Sequence, residues 1–490
     1  MKHVSILFPK AGGTIAPEIY GHFSEHIGGV FYDGLWVGKD SDIPNINGFR
    51  RDLVEKLRAI HPPVLRWPGG CFAETYSWRD GIGKNRPIRL NWWTRHDGRY
   101  ESNAVGTHEF VELCELIGAK PYFAVNVTSC TPLDALEWMD YCLSPRGSTT
   151  LAMEREANGH PEPFDIPFWG IGNENWGGGG NMDPDYYALQ YRKYATILRN
   201  TGYPVELFVG GANAADYNWT RHLCGTLERY KRLCDGMSFH YYTSQKSRGV
   251  TAEEVTNCAV DGWNAIMERA ARMEELIVRH HGITVGYGME ERTKLVIDEW
   301  GCWHPDGSGP SHGYNLFEQQ STMRDAVVSA LTLNIFNKHC DKIRMANVAQ
   351  LCNNLHCLFL AGGEHCITTP TYHVFDMYQE HQGAALVDTA VSDNADLTSS
   401  VSASASIKNG KLLITLANLS YDTATDISLD FLGRRVTGDA TVRLLAGENA
   451  NSHNTFENPD AVTPTTFVVD PAQTITLPAA AVMAISVAVE

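Results

Sequence analysis

The chain has 490 residues, of which 43% are hydrophobic and 20% charged, and acidic residues outnumber basic ones by 57 to 40. A formal charge of −17 makes a phosphate backbone or an anionic membrane surface a poor partner, because both would repel it. No apolar run reaches the roughly 18 residues that a bilayer-spanning helix needs. We therefore expect no nucleic-acid partner and no membrane partner.

The N-terminal sequence and the cysteines indicate the compartment. The first apolar stretch, residues 4–8, is shorter than the hydrophobic region of a signal peptide, which predicts a cytoplasmic protein. Twelve cysteines are scattered along the chain without a C-x-x-C pair. This spacing favours reduced thiols over a structural zinc site or a disulfide framework.

Short buried-strand patterns alternate with amphipathic helical patterns over most of the chain. The strand patterns lie at residues 19–23, 64–67, 121–127, 168–172, 206–210, 237–241, 295–297 and 344–350. Helical patterns lie between them, for example at 52–60, 108–117, 186–198 and 323–337. Eight such β–α units predict an α/β fold, a closed (β/α)8 TIM barrel spanning residues 16–380.

The last part of the chain, residues 381–490, has a different character. Short alternating runs recur in a segment rich in Ala, Val, Thr and Ser, and Asn409-Gly410 has the composition of a tight hairpin turn. This pattern predicts a C-terminal all-β sandwich of jelly-roll type. Residues 1–15 contain the strand-like stretch already noted and are predicted to join that sandwich.

Polar residues follow the ends of the predicted barrel strands. They are His22, Glu25, His26, Arg66, Cys71, Asn126, Asn173, Glu174, Asn213, His240, Tyr242, Asp298, Glu299, Trp300, Gln350 and Asn353. Barrel enzymes carry their chemistry at these strand ends, whereas the barrel core is filled with branched aliphatic side chains. The sequence therefore predicts an active site at this end of the barrel.

Two glutamates stand out among these residues. Glu174 follows an apolar run and precedes Asn175-Trp176, and Glu299 follows the run ending in Asp298 and precedes Trp300. Either glutamate alone is equally explained as a solvated residue at the start of a loop. Two carboxyl groups from the fourth and seventh strands, each beside a tryptophan, favour the acid and nucleophile or base of glycoside hydrolysis.

Other motifs give weaker indications. His22 and His26 have the i, i+4 spacing of a helical zinc site, but they lie beside a strand pattern, and we predict no metal. The glycine run at 177–180 lacks the Lys-Ser/Thr of a phosphate-binding loop, and we predict no cofactor. Cys71 is read as a buried thiol. Trp176 and Trp303 fit either the core or a stacking surface for a sugar ring.

Six motifs resemble a known family. In chain order they are GHFSEHIGG, LRWPGGCF, WGIGNENWGGGGNM, SFHYYT, VIDEWGCW and RMANVAQ. Together they are similar to the family 51 glycoside hydrolases, chiefly α-L-arabinofuranosidases, over about residues 21–378. The resemblance implies a barrel with a C-terminal sandwich, retention of anomeric configuration and an assembly that is often hexameric.

The resemblance also implies roles for individual residues. Glu174 looks like the acid/base and Glu299 like the nucleophile, and eight further residues look like substrate-binding residues. Among these, Glu25, Asn173, Tyr242 and Gln350 look like partners of the sugar hydroxyls, Arg66 and His240 like groups orienting the carboxylates, and Trp303 like a pocket wall. Cys71 stands where some members have Asn and others Cys. Gly29-Val30 and Gly178 depart from residues common in the family.

Three functional hypotheses remain open. The first is an exo-acting α-L-arabinofuranosidase on arabinan or arabinoxylan oligosaccharides, whose pentose specificity comes only from the resemblance. The second is an endo-β-glycanase, such as a xylanase or endoglucanase, on the same barrel. The third is a sugar-binding protein without catalysis, which the presence of both glutamates disfavours. A homo-oligomer is expected, as a hexamer by resemblance.

Overall fold

The computed structural model describes residues 1–91, 93, 100–244, 251–394 and 396–490, with only the backbone at 9–12 and 398. These residues form two compact units. One comprises Met1–Tyr20, Tyr242–Glu275 and Trp300–Glu490, and the other comprises Gly21–Tyr241 and Leu276–Glu299. The domain boundaries at residues 15 and 380 stay a prediction.

The strands of the described residues are, in chain order, β1 (Lys2–Thr14), β2 (Gly21–Phe23), β3 (Asn45–Ile46), β4 (Phe49–Arg50), β5 (Val64–Trp67), β6 (Arg89–Leu90), β7 (Tyr100–Glu101), β8 (Lys120–Val125), β9 (Phe168–Ile171), β10 (Glu206–Asn213), β11 (Gly236–Ser244), β12 (Lys294–Trp303), β13 (Ile343–Ala349), β14 (Phe359–Gly362), β15 (His365–Thr368), β16 (Ala385–Val391), β17 (Val401–Lys408), β18 (Lys411–Asn418), β19 (Thr425–Leu432), β20 (Val436–Leu445), β21 (Thr465–Val469), β22 (Ile475–Leu477) and β23 (Val482–Val489).

The helices are α1 (Arg51–Ile60), α2 (Thr107–Ile117), α3 (Pro132–Leu143), α4 (Thr150–Ala157), α5 (Pro184–Arg199), α6 (Tyr217–Leu227), α7 (Ala252–Thr256), α8 (Val260–Gly286), α9 (Met323–Lys338) and α10 (Pro370–Tyr378). Local sequence explains several boundaries. Thr131 and Asp134 form a capping box at the start of α3, and Gly118 ends α2 in the left-handed conformation. Within the described residues, no helix combines the length and apolarity that a bilayer crossing requires.

Eight strands close into a barrel in the order β10-β11-β12-β13-β2-β5-β8-β9. Neighbouring strands are parallel where their register is given, as between β5 and β8, with Val64 opposite Lys120 and Trp67 opposite Phe123. The predicted TIM barrel is therefore confirmed. Its strands carry polar side chains at their C-terminal ends, which is where barrel enzymes build their sites.

Several barrel strands differ in their bounds from the sequence prediction, β2 and β12 among them. The first is only Gly21–Phe23, because Pro17 begins a 3-10 turn that takes up Ile19 and Tyr20. The seventh, β12, does not end at residue 297 but continues through Glu299 to Trp303. Its polar side chains are buried and bonded to other protein groups, so the strand can extend past them. Glu299 therefore lies within a strand and not at the start of a loop.

The C-terminal strands form a nine-stranded sheet in the order β21-β20-β23-β18-β17-β16-β1-β19-β22, which confirms a C-terminal β domain. The N-terminal strand β1 lies within it, antiparallel to β16 and parallel to β19. Asn409 and Gly410, with φ of 53° and 74°, link β17 to β18 in a two-residue turn. Helix α9 packs against β17 and β18.

None of the twelve cysteines, all of which fall within the described residues, forms a disulfide. Ten of them are buried. Burial raises the pKa of most of these thiols, for example that of Cys234 to about 12. The reduced state expected from their spacing therefore agrees with the structure.

Candidate active site

Glu174 lies in a tight loop directly after β9. Its φ of 44° is in the left-handed region, which costs a residue with a side chain about 1–2 kcal/mol. Gly177 and Gly179 donate backbone hydrogen bonds to its carbonyl oxygen, at 2.7 and 3.1 Å. The glycine run at 177–180 thus closes the loop around Glu174. The side chain of Glu174 is 20% exposed, so it faces an opening.

Glu299 is the more buried of the two glutamates, with its side chain 7% exposed. Nη1 of Arg66 donates to its Oε1 at 2.9 Å, and Nη2 of the same guanidinium donates to Oδ1 of Asn173 at 2.6 Å. Burial opposes the charge of Arg66, but the carboxylates of Asp298 and Glu299 raise its pKa. Arg66 is therefore a permanent cation that holds Glu299 and the residue before Glu174 together.

His240, from β11, joins the two carboxyl groups. Its Nδ1 lies 2.8 Å from Oε1 of Glu174 and 3.5 Å from Oε2 of Glu299. Burial opposes the charged imidazolium, but the negative charge of Glu299 and the hydrogen bond to Glu174 raise its pKa. Oxygens of Glu174 and Glu299 lie within 4.8 Å of each other. The structure thus brings both predicted glutamates into one cluster.

Glu25 adds a third carboxyl group. Its Oε1 accepts hydrogen bonds from the backbone N–H of Phe72 at 2.9 Å and from Nε1 of Trp93 at 2.8 Å. Burial and the neighbouring charge of Glu299 raise the pKa of Glu25 to about 7. A Cβ atom on Gly70 would lie 3.0 Å from Oε1 of Glu299, which explains the glycine there.

Cys71 contacts the site through its thiol. The Sγ donates to Oε2 of Glu174 at 3.5 Å and accepts from Nδ2 of Asn173 at 3.7 Å. Burial and three nearby carboxylates raise the pKa of Cys71, so the group remains a thiol. It is therefore a hydrogen-bond donor to Glu174 and not a nucleophile.

Comparisons with known proteins indicate the family of the chain. The protein-family model for the α-L-arabinofuranosidase 1 domain matches residues 56–257. The family model for the α-L-arabinofuranosidase C-terminal domain matches residues 298–481. The chain is 38% identical over 93% of its length to an intracellular exo-α-L-arabinofuranosidase of Bacteroides ovatus, covering 89% of that protein. The chain belongs to the α-L-arabinofuranosidases of glycoside hydrolase family 51.

Solved structures lead to the same family. The family 51 arabinofuranosidase of Xanthomonas axonopodis pv. citri superposes with a TM-score of 0.91 at 35% identity, over 99% of both chains. The arabinose complex of the Thermotoga maritima α-L-arabinofuranosidase superposes with a TM-score of 0.84 at 30% identity, over both full chains. A family 44 xyloglucanase of Paenibacillus polymyxa, at 12% identity and a TM-score of 0.64, shares the fold alone.

Three of the residues implied by the family 51 resemblance belong to the compact unit that contains Met1–Tyr20 and Trp300–Glu490, whereas Glu174 and Glu299 belong to the other unit. Tyr242 and Trp303 are half-buried and meet edge to face, with ring centroids 5.0 Å apart. Gln350 is buried directly after β13. Trp176, the other candidate for sugar stacking, is half-buried and donates from Nε1 to the carbonyl of Gly211 at 3.1 Å. Their sugar contacts stay a prediction.

Sequence reasoning missed two residues that contact the site. Trp93 follows no predicted strand, and only its hydrogen bond to Glu25 in the structure identifies it. Glu74 is buried and accepts hydrogen bonds from the residues on both sides of Glu174. Its position three residues after Cys71, just past the end of the LRWPGGCF motif, was the available signal.

The sequence predicts no metal site. Among the described residues, two clusters have ligand atoms within 4.8 Å of one another, namely Glu174-His240-Glu299 and Cys302-His304-Asp325. His22 and His26 belong to neither cluster. Asp325 caps α9 and lies 2.9 Å from His304 and 3.5 Å from the guanidinium of Arg324, which already supplies a positive charge.

Proposed function

We propose that this chain is an exo-acting α-L-arabinofuranosidase that releases terminal arabinofuranosyl units with retention of configuration. The observation that carries this proposal is the pair formed by Glu174 and Glu299, whose oxygens lie within 4.8 Å of each other. Retaining glycosidases need about 5–5.5 Å between their carboxyl groups, against about 6.5–9.5 Å when a water molecule must fit between them. The pair thus leaves room for direct attack.

The buried Glu299 acts as the nucleophile. Its carboxylate attacks the anomeric carbon while the bond from that carbon to the leaving oxygen breaks, which forms a covalent glycosyl-enzyme. The charge-assisted hydrogen bond from Arg66 orients the attacking oxygen of Glu299.

Glu174 supplies and removes the proton. It protonates the leaving oxygen in the first step, and as a carboxylate it then takes a proton from the water that attacks the anomeric carbon. Its greater exposure suits both tasks, because the leaving group departs and water enters on its side. His240, hydrogen-bonded to Glu174, orients the carboxyl group.

The other polar groups bind the sugar in this proposal. Glu25, Asn173, Tyr242 and Gln350 take the hydroxyl groups, Cys71 contributes its thiol, and Trp303 forms a wall. Because Glu25 has a pKa of about 7, both its protonated and its ionised form are accessible near neutral pH. It can therefore donate or accept a hydrogen bond at a sugar hydroxyl.

Substrate, location and assembly extend the proposal. Arabinoxylan and arabinan oligosaccharides are proposed as substrates. A cytoplasmic location is proposed as well, and it is supported by the name of the Bacteroides ovatus relative, an intracellular exo-α-L-arabinofuranosidase. A homo-oligomer, a hexamer by family resemblance, is proposed as the assembly. Light scattering coupled to size-exclusion chromatography measures its mass directly.

Release of 4-nitrophenol tests the activity. We expect rapid hydrolysis of 4-nitrophenyl α-L-arabinofuranoside, slower hydrolysis of the β-xyloside and no cleavage of a long glucan. Glu299→Ala should be inactive on all three. Preferential cleavage inside the glucan would instead establish the endo-β-glycanase, and binding of arabinose oligosaccharides without any turnover would establish the non-catalytic sugar-binding protein.

A further inference from the structure

Glu74 is a buried carboxylate that the two-glutamate mechanism does not use. It lies in the 3-10 turn Cys71–Thr75 and is 1% exposed. Four N–H groups converge on its two oxygens. Oε2 accepts from the backbone N–H groups of Val127 and Thr128, both at 2.8 Å, and Oε1 accepts from the backbone N–H of Asn173 at 2.7 Å and from Nδ2 of Asn175 at 3.1 Å.

These contacts join three segments of the barrel mouth. Val127 and Thr128 follow β8, Asn173 and Asn175 follow β9, and Glu74 itself follows β5. Asn173 and Asn175 are the residues on either side of Glu174, whose backbone is held in the left-handed region. Such a conformation persists only where the surroundings determine it. Glu74 therefore holds both flanks of the strained residue.

The contacts also define the charge of Glu74. Burial raises its pKa, and the N–H donors of Asn173, Val127, Thr128 and Asn175 oppose that shift. All four partners donate, so both oxygens must act as acceptors. A proton on either oxygen would face an N–H group and lose a hydrogen bond. The arrangement thus fits the ionised carboxylate.

We propose that Glu74 is a positioning residue for proton transfer, which sets the backbone of Glu174 so that its carboxyl group reaches the leaving oxygen. The inference rests on the proposed function, because it assigns the proton transfer to Glu174. Glu74 touches no reacting atom. Its loss should weaken the proton transfer more than the attack by Glu299, whose carboxylate accepts a direct hydrogen bond from Arg66.

Glu74→Gln is the decisive variant, because it keeps the size of the side chain and replaces one acceptor oxygen with an NH2 group. That group would face two N–H donors. The assay measures kcat/KM on aryl α-L-arabinofuranosides, from 2,4-dinitrophenyl to phenyl. Good leaving groups depart without a proton, whereas phenol needs one. General acid catalysis contributes about 10²–10⁴-fold, so we expect a loss of about 10- to 100-fold on the phenyl substrate and less than about 3-fold on the dinitrophenyl one.

Two further variants serve as controls. Glu174→Ala should give the full dependence on the leaving group. Asp235→Asn removes a carboxylate that accepts from the backbone N–H of Leu207 at 2.8 Å, near the start of β10 and β11. It should lower the melting temperature but change kcat/KM by the same factor across the series. If Glu74→Gln does not fold, Asn175→Ala is the substitute, because it removes one of the four donors to Glu74. Its kcat/KM should depend on the leaving group in the same way but less steeply.

The outcomes separate the two proposals. A wild-type chain that hydrolyses no substrate of the series would refute the proposed function. The positioning role alone would be overturned by three results together. The wild-type chain is active, kcat/KM of Glu174→Ala depends steeply on the leaving group, and Glu74→Gln or Asn175→Ala loses kcat/KM by the same factor on every substrate. A selective loss on poor leaving groups in these variants supports it.

Discussion

Replacing Arg66 tests how much the buried cation contributes to the site. Its side chain is 1% exposed and donates to both Glu299 and Asn173. Arg66→Lys keeps the charge but loses the two-pronged geometry and hence one charge-assisted hydrogen bond, worth about 1.5–3 kcal/mol. At about 1.36 kcal/mol per tenfold, kcat/KM should fall roughly 10- to 150-fold. Arg66→Met removes one partner of a buried ion pair, which costs about 3–5 kcal/mol and corresponds to roughly 150- to 5000-fold.

The assay is kcat/KM on 4-nitrophenyl α-L-arabinofuranoside, with the melting temperature measured in parallel. Arg155→Lys is the matched control, because Arg155 is equally buried but donates to backbone carbonyls, those of Tyr141 and Ser144 among them. The control should be less stable while retaining kcat/KM within about 2-fold, since it contacts none of the site residues. Arg66→Lys with nearly wild-type kcat/KM, or equal losses in both lysine variants, would refute the reasoning.

Three further predictions follow from the same site. Prolonged EDTA treatment should leave turnover unchanged, because the two-carboxylate mechanism needs no metal; loss of activity that a divalent cation restores would contradict this. Glu174→Ala should accumulate the glycosyl-enzyme and let azide capture the sugar, and NMR should show the first product of the wild-type reaction with retained configuration; an inverted product would make Glu299 a base for water. Burial and Glu299 raise the pKa of Glu25 to about 7, so Glu25 is mainly protonated below that pH and ionised above it. Ionised Glu25 repels Glu299 and can no longer donate a hydrogen bond to the sugar, so KM should rise as the pH increases above 7. Glu25→Gln should abolish that rise; the same rise in the variant would assign it to another group.

Much of the barrel could be predicted from short-range patterns. The strand at residues 64–67 coincides with β5, and the glutamate after the fourth strand lies where the apolar run ends. Buried parallel strands appear as continuous apolar runs, and tight turns require particular residues such as Asn409-Gly410. These signals are local, so one sequence is sufficient to read them.

Contacts between residues far apart in the chain could not be predicted from the sequence. The strand containing Glu299 continues beyond the predicted end because Arg66, 233 residues away, donates a hydrogen bond to the carboxylate. A prediction from the hydrophobic pattern ends the strand at the first polar residue. Trp93 reaches Glu25 from a segment without regular periodicity. Glu74 was missed for a similar reason, since four donors from two other strand ends determine its role.

The position of β1 in the C-terminal sheet has a consequence for the time course of synthesis. Val4 and Ile6 are fully buried between β16 and β19, whose residues are translated about 370 or more residues later. At roughly 5–20 residues per second, the first strand leaves the ribosome about 20 to 75 seconds before its neighbours exist. The nascent chain must carry this apolar strand without its sheet for that interval, so β1 is among the last strands to reach its native place.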